Sequence, residues 1–170
     1  SYGLSETEIR KICATADLFI NISASTFMRE EYLKIPLRLL IDSDPMFTQI
    51  EYHDQCQREE ADNEYRMKYL VEHHTHHATF GEHIGGAGCR IPAFGFDWVP
   101  TRQPICLSFW ENDFSALAPH RYTTVMNWSV KSALQYNGFQ WGQKNTEFEK
   151  MKTLPARCIG ESFEVMMAGA

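Results

Sequence analysis

No apolar run in this chain approaches the roughly 20 residues that a membrane-crossing helix needs. Nor is there an excess of positive charge: 16 Lys and Arg stand against 22 Asp and Glu, a formal net charge of −6. The first absence excludes a spanning helix. The second argues against nucleic acid as a partner, because phosphate backbones are met by a basic stripe. Five cysteines, at positions 13, 56, 89, 106 and 158, form no CxxC pair. Scattered, odd-numbered thiols fit a reducing compartment better than a disulfide framework or a zinc knuckle. Repeats and low-complexity tracts are absent, as are the GxSxG elbow, the P-loop and the kinase signatures. The opening SYGLSETEIRK carries neither Met nor a signal-type apolar region. The chain therefore reads as soluble, cytoplasmic and untargeted, and as a piece of a longer one.

What is present suits a packed core: 44% of residues are apolar and 13% aromatic. Ser5, three residues before Glu8, makes a capping-box pattern ahead of Ile9, Ile12 and Cys13 at helical spacing. LFINIS (18–23) and LRLLID (37–42) read as buried strands, with one helical turn stopped by Pro36 between them. The polar run DQCQREEADNEYRMKYLVEHH predicts a helix, and ATFGEHI (78–84) a third strand. Residues 90–119 read as a proline-rich connection with short extended pieces. RYTTVMNWS (121–129) predicts a strand and GFQWGQKNTEFEKMKTL a loop leading into a helix ended by Pro155. SFEVMMA reads as a last strand. Strands alternating with helices predict an α/β chain with a parallel sheet, in which neither half is complete.

In such sheets ligands lie outside the carboxyl ends of the strands. Asp42 and Asp44, in LRLLIDSDPMFTQIE (37–51), stand at one such end. Three readings compete there: an Asp-x-Asp metal site, a ligand-facing pair without metal, or a turn in which Asp44 precedes Pro45. The histidines of EHHTHHATFGEH (72–83) place His73 and His77 four apart, a spacing that can share a metal on a helix. No third ligand follows at a usual spacing and HExxH is absent, so partly exposed histidines at a helix end are the plainer reading. One of them, His77 or His83, could still face a cleft as an acid or base. HIGGAG (83–88) follows a strand but is not GxGxxG, and a turn suits it better than a phosphate loop. In WVPTRQPI (98–105), Arg102 sits between prolines and either clamps a phosphate or carboxylate or forms a salt bridge. NWS (127–129) puts Asn127 and Trp128 at another strand's carboxyl end.

Several strings go further. ADLFINIS, IPLRLLIDSDPMFTQI, FGEHIG, CRIPAFGFDWVPTRQPI, YTTVMNWS and WGQKNTEFEKMKTLP, in that order, resemble bacterial glycosyltransferases of the GT-B type, built from two Rossmann-like domains. The resemblance implies that residues 1–105 are the later part of an acceptor-side domain, 106–120 a connection and 121–170 the start of a donor-side domain. It implies transfer of a sugar from a nucleotide-sugar donor to an acceptor, with no resident cofactor and no metal held by Asp-x-Asp. It also implies that these residues alone lack most of the donor-binding part and are inactive. The chemistry needs a base for the acceptor hydroxyl, for which Asp44, His77 and His83 are candidates. Asp42, Arg102, Asn127 and Trp128 are candidates for substrate contacts. Incomplete sheets also predict self-association. The competing expectation is a non-catalytic α/β module that binds a small molecule or regulates. A metal-dependent, single-domain transferase would rest on the DSD triplet alone.

Overall fold

The computed structural model describes residues 3–58, 66–110, 121–128, 133–142 and 144–168. The chain divides into two compact units, Ser1–Gln103 and Pro104–Ala170. The connection expected over 106–120 is described only as far as residue 110, where Leu107–Trp110 form a 3₁₀ turn; the rest of it, like Ser129 of NWS, lies outside the described residues.

The first unit is mixed α/β around a four-stranded parallel sheet in the order β1-β2-β3-β4. The strands are β1 (Leu18–Ile22), β2 (Leu37–Asp42), β3 (His76–Thr79) and β4 (Trp98–Pro100). Helix α1 (Glu6–Thr15) opens with the expected capping box: the Glu8 amide donates to Ser5 Oγ at 3.3 Å, and the Ser5 amide donates to the Glu8 carboxylate at 2.7 Å. The single turn α2 (Glu30–Leu33) is followed by β2. The one helix expected from DQCQ to EHH is instead two, α3 (Phe47–Gln57) and α4 (Met67–Glu72), and residues 59–65 lie outside the described ones. Helix α3 begins seven residues earlier than the polar run because Thr48 and Gln49, polar yet buried, belong to its first turn. Strand β3 begins two residues before ATFGEHI and stops at Thr79, so FGEHI is a turn.

Strand order 1-2-3-4 moves in one direction, and right-handed crossovers then return on one face of the sheet. That face is covered. Phe19 stacks on Tyr32 of α2 at 4.6 Å, Asp42 contacts α3, and Leu40, Val71 and Trp98 form a buried cluster with Tyr52, Met67, Ile84 and Phe96 against it. The opposite face carries Leu18, Ile20 and Ile22 of β1, Leu37 of β2 and Val99 of β4, all exposed, with Val99 at 57%. Parallel sheets are ordinarily covered on both faces, and the described residues of the first unit leave this apolar face exposed.

In the second unit, β5 (Arg121–Asn127) and β8 (Ser162–Ala168) pair in parallel, in a sheet of their own rather than as an extension of the first. Between them lie α5 (Lys144–Glu149), α6 (Leu154–Arg157) and a hairpin, β6 (Leu134–Tyr136) with β7 (Phe139–Trp141). The hairpin was not expected, although its signal is in the chain: Asn137 and Gly138 both take positive φ, the requirement of a tight two-residue hairpin turn. Pro155 lies in the first turn of α6 rather than ending a helix, because a proline there loses no hydrogen bond. Among the described residues no helix is long and apolar enough to cross a membrane.

Candidate functional site

Register places Asp42 beside Thr79 and Thr79 beside Pro100, so the loops after β2, β3 and β4 share one edge of the sheet. The first of these loops is a closed device. The Asp42 side chain is 2% exposed, and its carboxylate accepts four hydrogen bonds. Oδ1 accepts from the Asp44 amide at 3.1 Å and Thr48 Oγ1 at 2.8 Å; Oδ2 accepts from Gln49 Nε2 at 2.9 Å and Thr79 Oγ1 at 3.0 Å. Such a carboxylate has no free lone-pair direction for a cation or a sugar hydroxyl. Asp42, expected as a substrate contact, is thus a brace that ties the start of α3 and the end of β3 to β2.

The neighbouring residues complete the brace. Thr79 Oγ1 accepts from the Gly81 amide at 3.0 Å, and Gln49 Oε1 accepts from the Met46 amide at 2.6 Å. Met46 holds φ 84°, rare for a residue with a side chain, between the strand and α3. Ser43 and Ser23, from the loops after β2 and β1, are hydrogen-bonded through their hydroxyls. Asn21, buried in β1, holds its own loop by donating to the Thr26 carbonyl at 2.8 Å and accepting from the Thr26 amide at 3.2 Å. Gly81 sits where a Cβ would come within 2.9 Å of Pro45 Cβ and 2.6 Å of Ile84 Cδ1. The proline of DSDP and the glycine of FGEHIG therefore meet at this edge, and only glycine permits the approach.

On this braced edge the free chemistry lies in other residues. Asp44 is exposed, and among the described residues no hydrogen-bond donor reaches its carboxylate. His83 is exposed on the loop after β3. Arg102 Nε donates to Glu82 Oε1 at 2.5 Å, with the Arg102 side chain 81% exposed. Glu82, Pro100, Thr101 and Arg102 line an open cleft of about 300 Å³. Glu82 was not among the residues expected at a cleft; its position after a strand's carboxyl end was the available signal.

The histidine cluster has another role. The imidazoles of His73 and His74 donate from Nδ1 to the carbonyls of Tyr69 (2.9 Å) and Leu70 (2.6 Å), and His77 donates from Nε2 to Val71 (2.8 Å). Three consecutive carbonyls at the end of α4 thus receive a side-chain donor; those of Tyr69 and Val71 also accept the His73 and His74 amides, at 3.1 and 3.4 Å. His77, expected as a base, is buried against Phe96 and Trp98 in the amino half of β3, not at the cleft. Among the described residues no group of three or more His, Cys, Asp or Glu could hold a metal ion. In the second unit Asn127 is exposed at the carboxyl end of β5, and Trp128 packs edge-on against Phe148 at 5.8 Å. The carboxyl edge of the first sheet thus carries Asp44 on the loop after β2, Glu82 and His83 on the loop after β3 and Arg102 after β4, and of these Glu82 and Arg102 line the open cleft. Family models, curated proteins and solved structures yield no match to this chain.

Proposed function

We propose that the chain belongs to a sugar-transferring protein of the GT-B type, with Rossmann-like units, that takes its sugar from a nucleotide-sugar donor. The observation that carries this reading is the carboxyl edge of the first sheet. A buried carboxylate ties the loop after β2 and the end of β3 together, and the exposed Arg102–Glu82 pair lines a cleft at the same edge. Rigid placement of a few exposed polar groups is what group transfer requires.

In this reading Asp44 or His83 accepts the proton of the acceptor hydroxyl as it attacks the anomeric carbon. Arg102 meets the negative charge that gathers on the departing diphosphate. Its present partner, Glu82, does not prevent this. Both side chains are largely exposed, and such surface pairs contribute only about 0–1 kcal/mol, so a bidentate phosphate can displace the carboxylate. Asn127 and Trp128, at the equivalent end of β5, are the second unit's candidates for substrate contact.

Arg102→Ala is expected to weaken binding of a uridine diphosphate sugar about tenfold, the loss of one charge-assisted contact, while leaving the unfolding midpoint unchanged. Calorimetric titration checks the first and urea unfolding the second. Undiminished affinity in the variant removes Arg102 from the site.

The uncovered apolar face of β1, β2 and β4 predicts concentration-dependent association of this chain. Light scattering is expected to show mass rising with concentration, and Ile20→Lys to suppress the rise. A strictly monomeric profile contradicts it.

A further inference from the structure

The geometry points to an acid-sensitive fastener at the α4–β3 junction: we propose that a proton on His74 opens the segment joining α4 to β3. The His74 side chain is buried, and its Nδ1–H is committed to the Leu70 carbonyl. That bond fixes the tautomer and leaves Nε2 as the site for a second proton. Nε2 is buried and has no hydrogen-bond partner among the described residues. A proton added there makes an N–H without an acceptor among the described residues, at an atom closed to solvent.

Among the described residues no countercharge is at hand either. The facing group on β2 is Arg38, whose guanidinium donates to the carbonyls of His73 (2.8 Å), Leu33 (3.2 Å) and Ile35 (2.6 Å). From the end of α4 and from β3 the neighbours are His73 and His77, both basic, and His76 lies beside His77. β1 presents the ring of Phe19, stacked at 6.2 Å, with Asp17 exposed at its start. On α2, Glu31 is engaged by Arg10 at 3.2 Å and Arg29 at 3.3 Å, and Glu30 is exposed. Glu72 of α4 accepts the Tyr52 hydroxyl at 3.2 Å. Burial therefore pushes His74 down to about 4, and His77 is lowered for the same reason.

A histidine whose folded pKa lies below its unfolded value favours the closed form above the unfolded pKa. That preference is lost as pH falls from about 6.5 toward about 4. The far end of β3 carries Thr79, a donor to Asp42, and leads into Glu82. Opening at the junction therefore loosens the cleft that the proposed function uses, but the device itself does not depend on that function.

The test is amide exchange across the first unit, corrected for intrinsic rates, together with an NMR titration of the histidine rings. Between pH 8 and pH 5 the opening constant for amides of His73, His74 and Thr75 is expected to rise about 30-fold, the value for one proton with those two pKa values. Amides of β1 and β2 are expected to change far less. His74→Phe, which keeps the ring on Phe19, is expected to remove most of the rise. A His74 ring that titrates near 6.5, a uniform change across the unit, or an unaltered rise in the phenylalanine variant would overturn the proposal. The ring titration on the parent chain decides the matter even where the variant fails to fold.

Discussion

Asp42→Ala is expected to destabilise the first unit by about 4 kcal/mol, while Asp44→Ala, two residues away, is expected to change stability by less than about 0.5 kcal/mol. The difference follows from surroundings. Removing the Asp42 carboxylate leaves the hydroxyls of Thr48 and Thr79, the Gln49 amide group and the Asp44 main-chain N–H without their acceptor, in a site closed to solvent. Each hydrogen bond to a charged group contributes about 1.5–3 kcal/mol, and a buried donor left unpaired adds its desolvation cost. The sum is limited because the loop can relax and admit water. Asp44 has no such network. Urea unfolding, followed through NMR signals of the first unit, measures both. The same pair separates structure from function. Asp44→Ala is expected to keep the fold and lose ligand binding or turnover, whereas Asp42→Ala is expected to lose both. Equal destabilisation by the two substitutions contradicts the brace.

The second large effect is expected at Trp98. This side chain is 7% exposed, packs with Leu40 and Val71, meets His77 edge-on at 5.1 Å and donates from Nε1 to the Ala93 carbonyl at 3.1 Å. It is the first residue of β4, a three-residue strand that among the described residues pairs only with β3. Trp98→Ala is expected to cost about 3–5 kcal/mol, through a cavity at the centre of the cluster and an orphaned carbonyl. Trp98→Phe, which keeps most of the apolar volume, is expected to cost less. Because β4 leads directly to Thr101 and Arg102, the alanine variant is also expected to broaden the NMR signals of those two residues. A stability change below about 1 kcal/mol would show that β4 is held by something other than this ring.

Much of the framework was legible in the sequence for physical reasons. The capping box at Ser5 and Glu8 is a local pattern with a local cause, and it formed as read. LRLLID is apolar because β2 is an inner strand between β1 and β3, and its bounds were recovered residue for residue. The missed features depend on distant partners. Nothing in the run from Asp42 to Gln49 announces that Thr48 and Gln49 turn inward to a carboxylate six and seven residues back, with Thr79 joining 37 residues on. The histidines were read by helical spacing, yet α4 ends at Glu72 and the rings fold back onto its last carbonyls. His77 consequently moves from candidate base to buried cap. The Asn137-Gly138 hairpin was a local signal in plain view, masked by the polar run that follows it. Of the candidate residues, Asp44, His83 and Arg102 stand exposed at strand carboxyl ends, and it is the parallel register of β3 and β4 that places Glu82 and Thr101 beside Arg102 at the cleft.

Chemical-shift mapping with a uridine diphosphate sugar tests the central claim most directly, that the edge braced by Asp42 is a ligand-binding edge. The account predicts saturable shifts concentrated at Asp44, Glu82, His83, Thr101 and Arg102, greatly reduced in Arg102→Ala. A titration to millimolar ligand that leaves these amides unmoved, or that moves residues elsewhere on the first unit instead, would contradict it.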